Sequence, residues 1–300
     1  MMNKIFNLIK FFLACTLIFS GLVKGIDPYG TSLKVLEYCN QFGIEVTTDI
    51  SMVLSVILCG VEIFIGFCLA LNVYLKLMIY VALIILLLFT MMIGIMTISP
   101  VMRIAECGCF GDLLPMSISM SFIKNIVLII FAVVLIFAVK LDYFHFLEKN
   151  NPEYVALSII LAFAIPLYSM IWLPFIEFTE YRLGTDLHNV KSFQLVDDEY
   201  TNVTQKILDA DHQILIVKKK EFSSKESGIV KILVPFTTNG QYNVDVIIGL
   251  DAKNSMNELY CSDNTLKMIA RTPENAVIYL EKGIIKKKKK LWNIPNNLNN

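Results

Sequence analysis

Two cysteines separated by one glycine are the residues of this chain best suited to chemistry. They lie in a short polar segment between two apolar runs, Glu106-Cys107-Gly108-Cys109-Phe110-Gly111-Asp112. A Cys-x-Cys pair can close a disulfide, but the small ring is strained. Because strain raises the reduction potential, such a disulfide would be a labile oxidant rather than a structural crosslink. Gly108 reaches the backbone angles that the ring requires.

Spacing alone leaves three interpretations of this pair open. In the first, Cys107 and Cys109 are redox-active; Arg103 can lower a thiol pKa, and Asp112 is a second candidate modulator. In the second, the segment is a turn and its cysteines are inert. In the third they bind a metal, but a Cys-x-Cys pair needs further ligands. The histidines of the chain are His145, His188 and His212. No metal site is predicted.

The other thiols favour packing over chemistry. Cys39 could resolve a mixed disulfide with the Cys-x-Cys pair, but packing is favoured for this residue. Cys59 and Cys68 lie within an apolar run and are typical small core residues. Cys261 stands alone in the C-terminal part of the chain, so it cannot form a redox pair there.

Glu62 is an ionisable residue deep inside the second apolar run. A charge at that depth is costly, so we expect it to face the interior of a helical bundle and to have a partner. Lys24, Arg103 or a polar ligand such as a quinone are candidate partners. The alternative is a purely structural contact between helices, helped by Gly60 and Gly66. Glu62 and Lys24 are therefore candidate modulators of the thiol pair.

The composition places much of the chain in lipid. Hydrophobic residues make up 56% and charged residues 17%, against about 25% charged in soluble proteins, and the mean hydropathy is +0.62. The net charge of +0 gives no indication of a nucleic-acid partner. The apolar excess ends near residue 178, which predicts a membrane domain over residues 1–177 and a soluble domain over 178–300.

Five apolar runs are long enough to cross a bilayer. They cover residues 5–23, 52–71, 77–98, 122–139 and 154–175. Residues 31–42 predict a short interfacial helix that ends at Gly43, and residues 72–76 predict a tight turn. Lys4 and Lys10 favour a cytoplasmic N-terminus. Alternating spans then place the cysteine segment and the C-terminal domain outside the inner membrane of a bacterium, where disulfides persist.

The C-terminal domain has an α/β pattern. Strands are predicted over residues 212–217, 242–250 and 276–280, with helices over 224–237 and 263–271. The turn at residues 281–283 leads into Ile284 and Ile285. Five consecutive lysines, Lys286–Lys290, indicate a solvated edge strand protected from aggregation by charge; contact with anionic lipid headgroups is the alternative.

The membrane part resembles the DoxX/MauE group of bacterial membrane proteins, in the Bacteroidota type with an extra C-terminal domain. The resemblance rests on Ser20-Gly21-Leu22-Val23-Lys24, Asp27-Pro28-Tyr29-Gly30, Val61-Glu62-Ile63 with Gly66, the Cys107–Asp112 block, and Lys124-Asn125. It implies a bundle of about four spans, with a fifth in this type. MauE is named for methylamine utilisation and is thought to help a disulfide-rich subunit mature. The resemblance thus implies that Cys107 and Cys109 are a reactive pair; Cys39 is outside the pattern.

The C-terminal part resembles a degenerate thioredoxin-like domain. Residues 265–271 followed by 276–283 are similar to the closing helix and hairpin of that fold. After Val217, however, the Cys-x-x-Cys motif is replaced by residues 218–224, and Asn275 stands near the place of the usual proline. The resemblance therefore implies a domain that binds a protein partner or caps the bundle, without thiol chemistry of its own.

Together these features predict an α-helical membrane bundle of four to five spans plus a small α/β thioredoxin-like domain. The predicted function is thiol–disulfide or electron transfer through Cys107 and Cys109, with a quinone as candidate cofactor. Lipid and an extracytoplasmic protein or thiol substrate are the expected partners. The alternative is a non-enzymatic scaffold. A small-solute transporter built around Glu62 is disfavoured, because no sequence repeat is visible.

Overall fold

The chain forms two compact units, Met1–Ile171 and Trp172–Asn300. The structure, a computed structural model, describes residues 2–98, 113, 116–141, 143, 151–174, 176–233, 243–249 and 258–294. The first unit is a helical bundle and the second is a small α/β domain, which confirms the predicted fold class. The predicted boundary between residues 177 and 178 stays a prediction.

The described part of the first unit contains six helices. They are α1 (Met2–Ile26), α2 (Pro28–Gln41), α3 (Thr48–Leu71), α4 (Leu75–Ile98), α5 (Ile118–Lys140) and α6 (Pro152–Ile171). All except α2 are long and apolar enough to cross a membrane. The five predicted spans are therefore confirmed within the described residues. The predicted helix over 31–42 is also confirmed, although α2 begins earlier, at Pro28, because Asp27 caps it by accepting from the Gly30 N–H.

The bundle is apolar outside and partly polar inside. Large apolar side chains such as Phe11, Leu88 and Ile160 are exposed, whereas Ser55 and Asn125 are buried. This distribution suits a protein whose surface is solvated by lipid, because polar groups inside the bundle are kept away from the hydrocarbon and can interact with one another. Membrane-embedded helices of this kind imply direct lipid contact.

Helix α3 is central and packs against α1, α2 and α6. Glycines allow the backbones of neighbouring helices to approach each other most closely. A Cβ atom at Gly21 would lie 2.9 Å from the Cys59 carbonyl oxygen, and one at Gly66 would lie 3.0 Å from the Ala14 carbonyl oxygen. Gly60, in turn, faces the ring of Phe163 on α6. Small residues at such crossings let backbones approach within van der Waals contact.

The turn at Asn72 identifies one end of the bundle. Asn72, at φ 61°, ends α3 in the left-handed conformation, and its side-chain oxygen accepts from the Lys10 ammonium. The start of α1 and the Asn72 turn therefore share one end. The opposite end, which we call the α2 end, carries α2, the end of α1 and the start of α3. Since α4 and α5 continue the alternation, α4 ends and α5 begins at the α2 end as well.

Within the described residues, the second unit has a five-stranded mixed sheet of order β3-β2-β1-β4-β5. The strands are β1 (His212–Val217), β2 (Asn243–Gly249), β3 (Leu259–Cys261), β4 (Ala276–Glu281) and β5 (Ile284–Lys290). Strands β1, β2 and β3 are parallel, whereas β4 is antiparallel to β1 and β5 to β4. The helices are α7 (Thr204–Leu208), α8 (Ser224–Leu233) and α9 (Asp263–Ala270), with 3-10 helices at Leu187–Asn189 and Leu291–Asn293.

Both faces of the sheet are covered, which explains the continuous apolar run of β1. Leu215 and Val217 belong to one core cluster, and Ile214 and Ile216 belong to the other. Successive side chains point to opposite faces, so a strand buried on both sides must be apolar at every position. The predicted strands and helices are confirmed where they are described; residues 234–242 and 250, at the ends of two of them, lie outside the described residues.

The lysine run is an edge strand, as predicted, but it is not solvated throughout. Lys288 lies 2.8 Å from Glu177 with both side chains buried, and Lys290, also buried, lies 3.7 Å from Glu274. Lys286 and Lys287 are exposed. The expectation of a fully solvated strand was wrong for Lys288 and Lys290, because these two residues share a strand face that meets carboxylates elsewhere in the same unit.

Candidate functional site in the membrane unit

The predicted thiol pair lies outside the described residues, together with Arg103 and Asp112. The structure does describe the two helices that the cysteine segment joins. Helix α4 runs to Ile98, and α5 begins at Ile118 with the Ser117 hydroxyl accepting from the Met120 N–H. Both of these helix ends belong to the α2 end of the bundle. The segment that contains Cys107 and Cys109 therefore starts and finishes there.

Lys24 and Glu62 form a buried ion pair. The Lys24 ammonium donates to Glu62 Oε1, and only 6% and 5% of the two side chains are exposed. One of the expected partners of Glu62, Lys24, is therefore present. Gly21 and Gly66 let α1 and α3 pack closely where the two helices cross. This close packing places Lys24 of α1 beside Glu62 of α3.

One oxygen of the ion pair has no donor within the described residues. Glu62 Oε2 is buried and accepts no hydrogen bond there. Buried polar atoms in proteins are nearly always satisfied, so an exception asks for an explanation. A carboxylate oxygen needs an O–H or N–H donor, and a bound ligand can supply one.

A cavity of about 270 Å³ opens beside the ion pair. Its apolar walls come from α1 to α5 and include Leu17, Val35, Leu58, Leu86, Phe89 and Ile93. Its polar lining includes Ser20, Lys24, Glu62, Lys124 and Asn125. The Lys24 ammonium also lies 5.8 Å from the centre of the Phe89 ring, within the range of a cation–π contact. The site thus combines a mainly apolar cavity with a buried ion pair in its lining.

Sequence reasoning found the ion pair but did not assign the rest of this cavity. Asn125 is buried, and Lys124 and Asn125 lie about two turns into α5, lining the cavity together with residues of α2 and α4. The sequence singled out Lys124 and Asn125 only as part of the family resemblance. Nothing in the spacing indicated that these residues and Glu62 line one space, because that depends on how the helices pack.

The described cysteines of the bundle differ in position. Cys59 and Cys68 are buried in α3 as small core residues, as predicted. Cys39 on α2 is half-buried and lines the cavity, whereas Cys15 is exposed on α1. None of the described cysteines forms a disulfide.

In the second unit, hydrogen bonds to Asn275 hold the segment that follows β1. The Asn275 side-chain oxygen accepts from the backbone N–H groups of Lys219 and Lys220 at 2.8 and 2.9 Å, and its amide donates to Glu226 at 3.3 Å. Burial, together with the Asp263 carboxylate, raises the pKa of the Cys261 thiol to about 12. Cys261 is therefore protonated and unreactive at neutral pH.

No part of the described structure assembles a metal centre. Among the described residues, no group of three or more His, Cys, Asp or Glu side chains could hold a metal ion. His188 instead lies between Asp186, at 2.7 Å, and Asp209, at 3.2 Å, and these hydrogen bonds, led by the one from Asp186, raise its pKa.

Comparison with known proteins agrees with this architecture. Protein TlpB of Flavobacterium psychrophilum is 29% identical over 161 residues, which are 53% of this chain and 42% of that protein. The chain thus spans less than half of the length of this curated relative. No solved structure gives a significant match. Residues 2–138 match the family model of Methylamine utilisation protein MauE. That match runs from α1 almost to the end of α5, so the similarity to this family lies in the membrane unit of this multi-pass membrane protein.

Proposed function

We propose that this protein carries out thiol–disulfide exchange or electron transfer through Cys107 and Cys109 at the outer face of a bacterial inner membrane. The observation that carries the proposal is the MauE match, which includes both cysteines within residues 2–138. In one turnover the Cys107–Cys109 disulfide takes two electrons and two protons from a substrate dithiol. The products are the reduced pair and a substrate disulfide.

The helix arrangement supports a site at the outer face. The α2 end carries both connections of the cysteine segment, and the opposite end carries Lys10 and the Asn72 turn. With the N-terminus in the cytoplasm, as Lys4 and Lys10 favour, the α2 end faces outward. Arg103 and Asp112 then flank the pair as modulators, and the Lys24–Glu62 ion pair sits in the bundle below.

For the second unit we propose a thioredoxin-like domain in the periplasm that holds a protein partner or substrate. The order β2-β1-β4-β5, with β1 and β2 parallel and β4 and β5 antiparallel, supports this fold. The loop after β1 is tied to Asn275, and Cys261 is buried. Thiol chemistry in the chain is therefore left to the membrane unit.

Single cysteine variants test this function. Thiol–disulfide exchange is reversible, so the remaining thiol of a single variant can attack the disulfide of the oxidised substrate, and the resulting mixed disulfide persists because the neighbouring thiol is missing. We expect Cys107→Ser or Cys109→Ser, in cells quenched with acid, to accumulate a reductant-sensitive adduct of higher mass. The double variant should form none. Cys15→Ser, which removes the lipid-facing thiol of α1, should behave like the unaltered protein.

The competing function is a non-enzymatic scaffold, and one observation favours it. Asn275 and Glu226 close the loop that would hold the thiols of a thioredoxin, so the second unit is built for binding. In that case neither single variant forms an adduct, and the double variant restores full growth to a deletion strain. Those two results together would refute the thiol-exchange function and support the scaffold function.

A further inference from the structure

The cavity beside Lys24 and Glu62 has the features of a ligand site. Its volume of about 270 Å³ is close to the lower end of small-molecule pockets, about 300–1,000 Å³. Most of its lining is apolar, and its polar lining includes the ion pair Lys24–Glu62 together with Asn125. Lys24, Glu62 and Asn125 are each at least nine-tenths buried, so they are built into the bundle rather than extended from its surface.

The ion pair calls for a neutral ligand that carries both acceptors and donors. Glu62 Oε2 lacks a donor within the described residues, and an O–H group would satisfy it. The Lys24 ammonium, which donates to Glu62 Oε1, also lines the cavity, so a carbonyl oxygen placed beside it would meet a positive charge. A phosphate or carboxylate headgroup fits poorly, because it would place a second anion beside the unsatisfied Glu62 oxygen.

The apolar walls favour a flat ring with a lipid-soluble tail. Phe89 and Tyr38 lie on the cavity wall, and aromatic rings stack favourably with other flat rings. The remaining apolar lining comes from Leu17, Val35, Leu58, Ile85, Leu86 and Ile93. A ring with opposed oxygens, as carbonyls when oxidised and as hydroxyls when reduced, matches both the walls and the ion pair.

We propose that this cavity binds the head group of a membrane quinone, with Lys24 donating to a carbonyl of the oxidised form and Glu62 accepting from a hydroxyl of the reduced form. The proposal rests on the proposed function for its redox role. There, the reduced cysteine pair would give two electrons and two protons to the quinone, leaving a disulfide and a hydroquinone. Binding itself depends only on the described residues of the bundle.

Equilibrium dialysis of the purified full-length protein in detergent tests the site directly. The probe is 2,3-dimethyl-1,4-naphthoquinone, and its dithionite-reduced form is measured in parallel. We expect saturable one-to-one binding to the unaltered protein. The variant Lys24→Met/Glu62→Leu should bind at least about tenfold more weakly, since hydrogen bonds to charged groups contribute about 1.5–3 kcal/mol.

Two controls separate this site from other effects. Lys10→Met/Asn72→Leu removes the buried polar contact at the opposite end of α1, so it should lower stability without changing affinity. Phe89→Leu, which keeps the ion pair, should weaken both forms of the probe by removing the stacking wall. Equal affinity in the unaltered protein and in Lys24→Met/Glu62→Leu, or no saturable binding at all, would overturn the proposal, and displacement of the probe by detergent or lipid alone would show an adventitious site.

The double variant Cys107→Ser/Cys109→Ser distinguishes the two proposals. It should bind the probe like the unaltered protein, because no cysteine of the pair takes part in binding. If it binds normally and also supports full growth, the quinone site stands and the thiol-exchange function fails. If the cysteines form adducts but no probe binds, the thiol-exchange function stands and the quinone site fails.

Discussion

Replacing Glu62 by leucine is expected to lower the free energy of unfolding of the membrane unit by about 3–5 kcal/mol. The side chain removed is the carboxylate that pairs with the buried Lys24, and its loss removes the negative charge beside a buried ammonium. Lys24→Met should have a cost of the same order, because it orphans Glu62 instead. Reversible unfolding of the purified protein in mixed detergent micelles measures both values.

The double variant decides whether this cost comes from the pair or from the orphaned charge. Interhelical polar contacts in membranes contribute only about 0.6–1.7 kcal/mol, so Lys24→Met/Glu62→Leu should recover most of the loss. The more exposed pair Lys34–Glu37, at 3.4 Å with side chains 31% and 38% exposed, is the matched control. Lys34→Met should cost less than about 0.5 kcal/mol. Additive losses in the double variant would contradict a direct pairing of Lys24 with Glu62.

The second large effect is expected at the crossing of α1 and α3. Gly66→Ala places a Cβ 2.6 Å from Ile18 Cγ1 and 3.0 Å from the Ala14 carbonyl oxygen. Gly21→Ala does the same, at 2.6 Å from Ile63 Cγ1. Because the backbone itself is in the way, the helices must separate, which we expect to cost about 1–3 kcal/mol for each substitution.

Gly94 of α4 provides the matched control for these substitutions. A Cβ at Gly94 would meet only Phe122, at 3.9 Å, which is an ordinary contact. Since alanine is about 1 kcal/mol better than glycine in a helix, Gly94→Ala should leave the unfolding free energy unchanged or raise it. If Gly66→Ala and Gly94→Ala have equal effects, close packing at the α1–α3 crossing is not what holds the two helices.

Separating α1 from α3 should also disturb the ion pair. Lys24 lies three residues beyond Gly21, and Glu62 four residues before Gly66. The crossing therefore connects the sequence pattern Ser-Gly-x-x-Lys to the geometry of the cavity. The glycine lets α1 and α3 pack closely, and at that distance the lysine reaches Glu62. Measuring quinone affinity in Gly21→Ala would show how tightly binding depends on helix spacing.

Some features of this site follow from the sequence because they obey local or strict rules. A carboxylate inside an apolar run must have a partner, and this requirement gave Lys24 as one of three candidates, beside Arg103 and a polar ligand. The turn at Asn72 and the end of α2 at Gly43, at φ +71°, were predictable from residue types that tolerate the left-handed conformation. The apolar run of β1 predicted a strand buried on both faces.

Other features depend on packing that no local pattern records. The cavity exists only where five helices meet, so its lining by Asn125 and Phe89 could not be derived from spacing. Strand β3, of three residues, is too short to show a period. Lys288 looked solvated because its partner, Glu177, lies 111 residues away in sequence. The role of Cys107 and Cys109 stays a prediction for a different reason, since they lie outside the described residues.

The redox state of the cysteine pair in native membranes shows whether Cys107 and Cys109 form the disulfide that thiol exchange requires. Cells grown with oxygen are quenched with acid and alkylated, and trypsin then releases residues 104–124, which contain Cys107 and Cys109 and no other cysteine. Cys261, on a separate peptide, is the internal reference for a thiol that stays reduced but becomes labelled only after unfolding. We expect no label on residues 104–124 before reduction and two labels after it. Two labels without any reductant, under every growth condition, would contradict it.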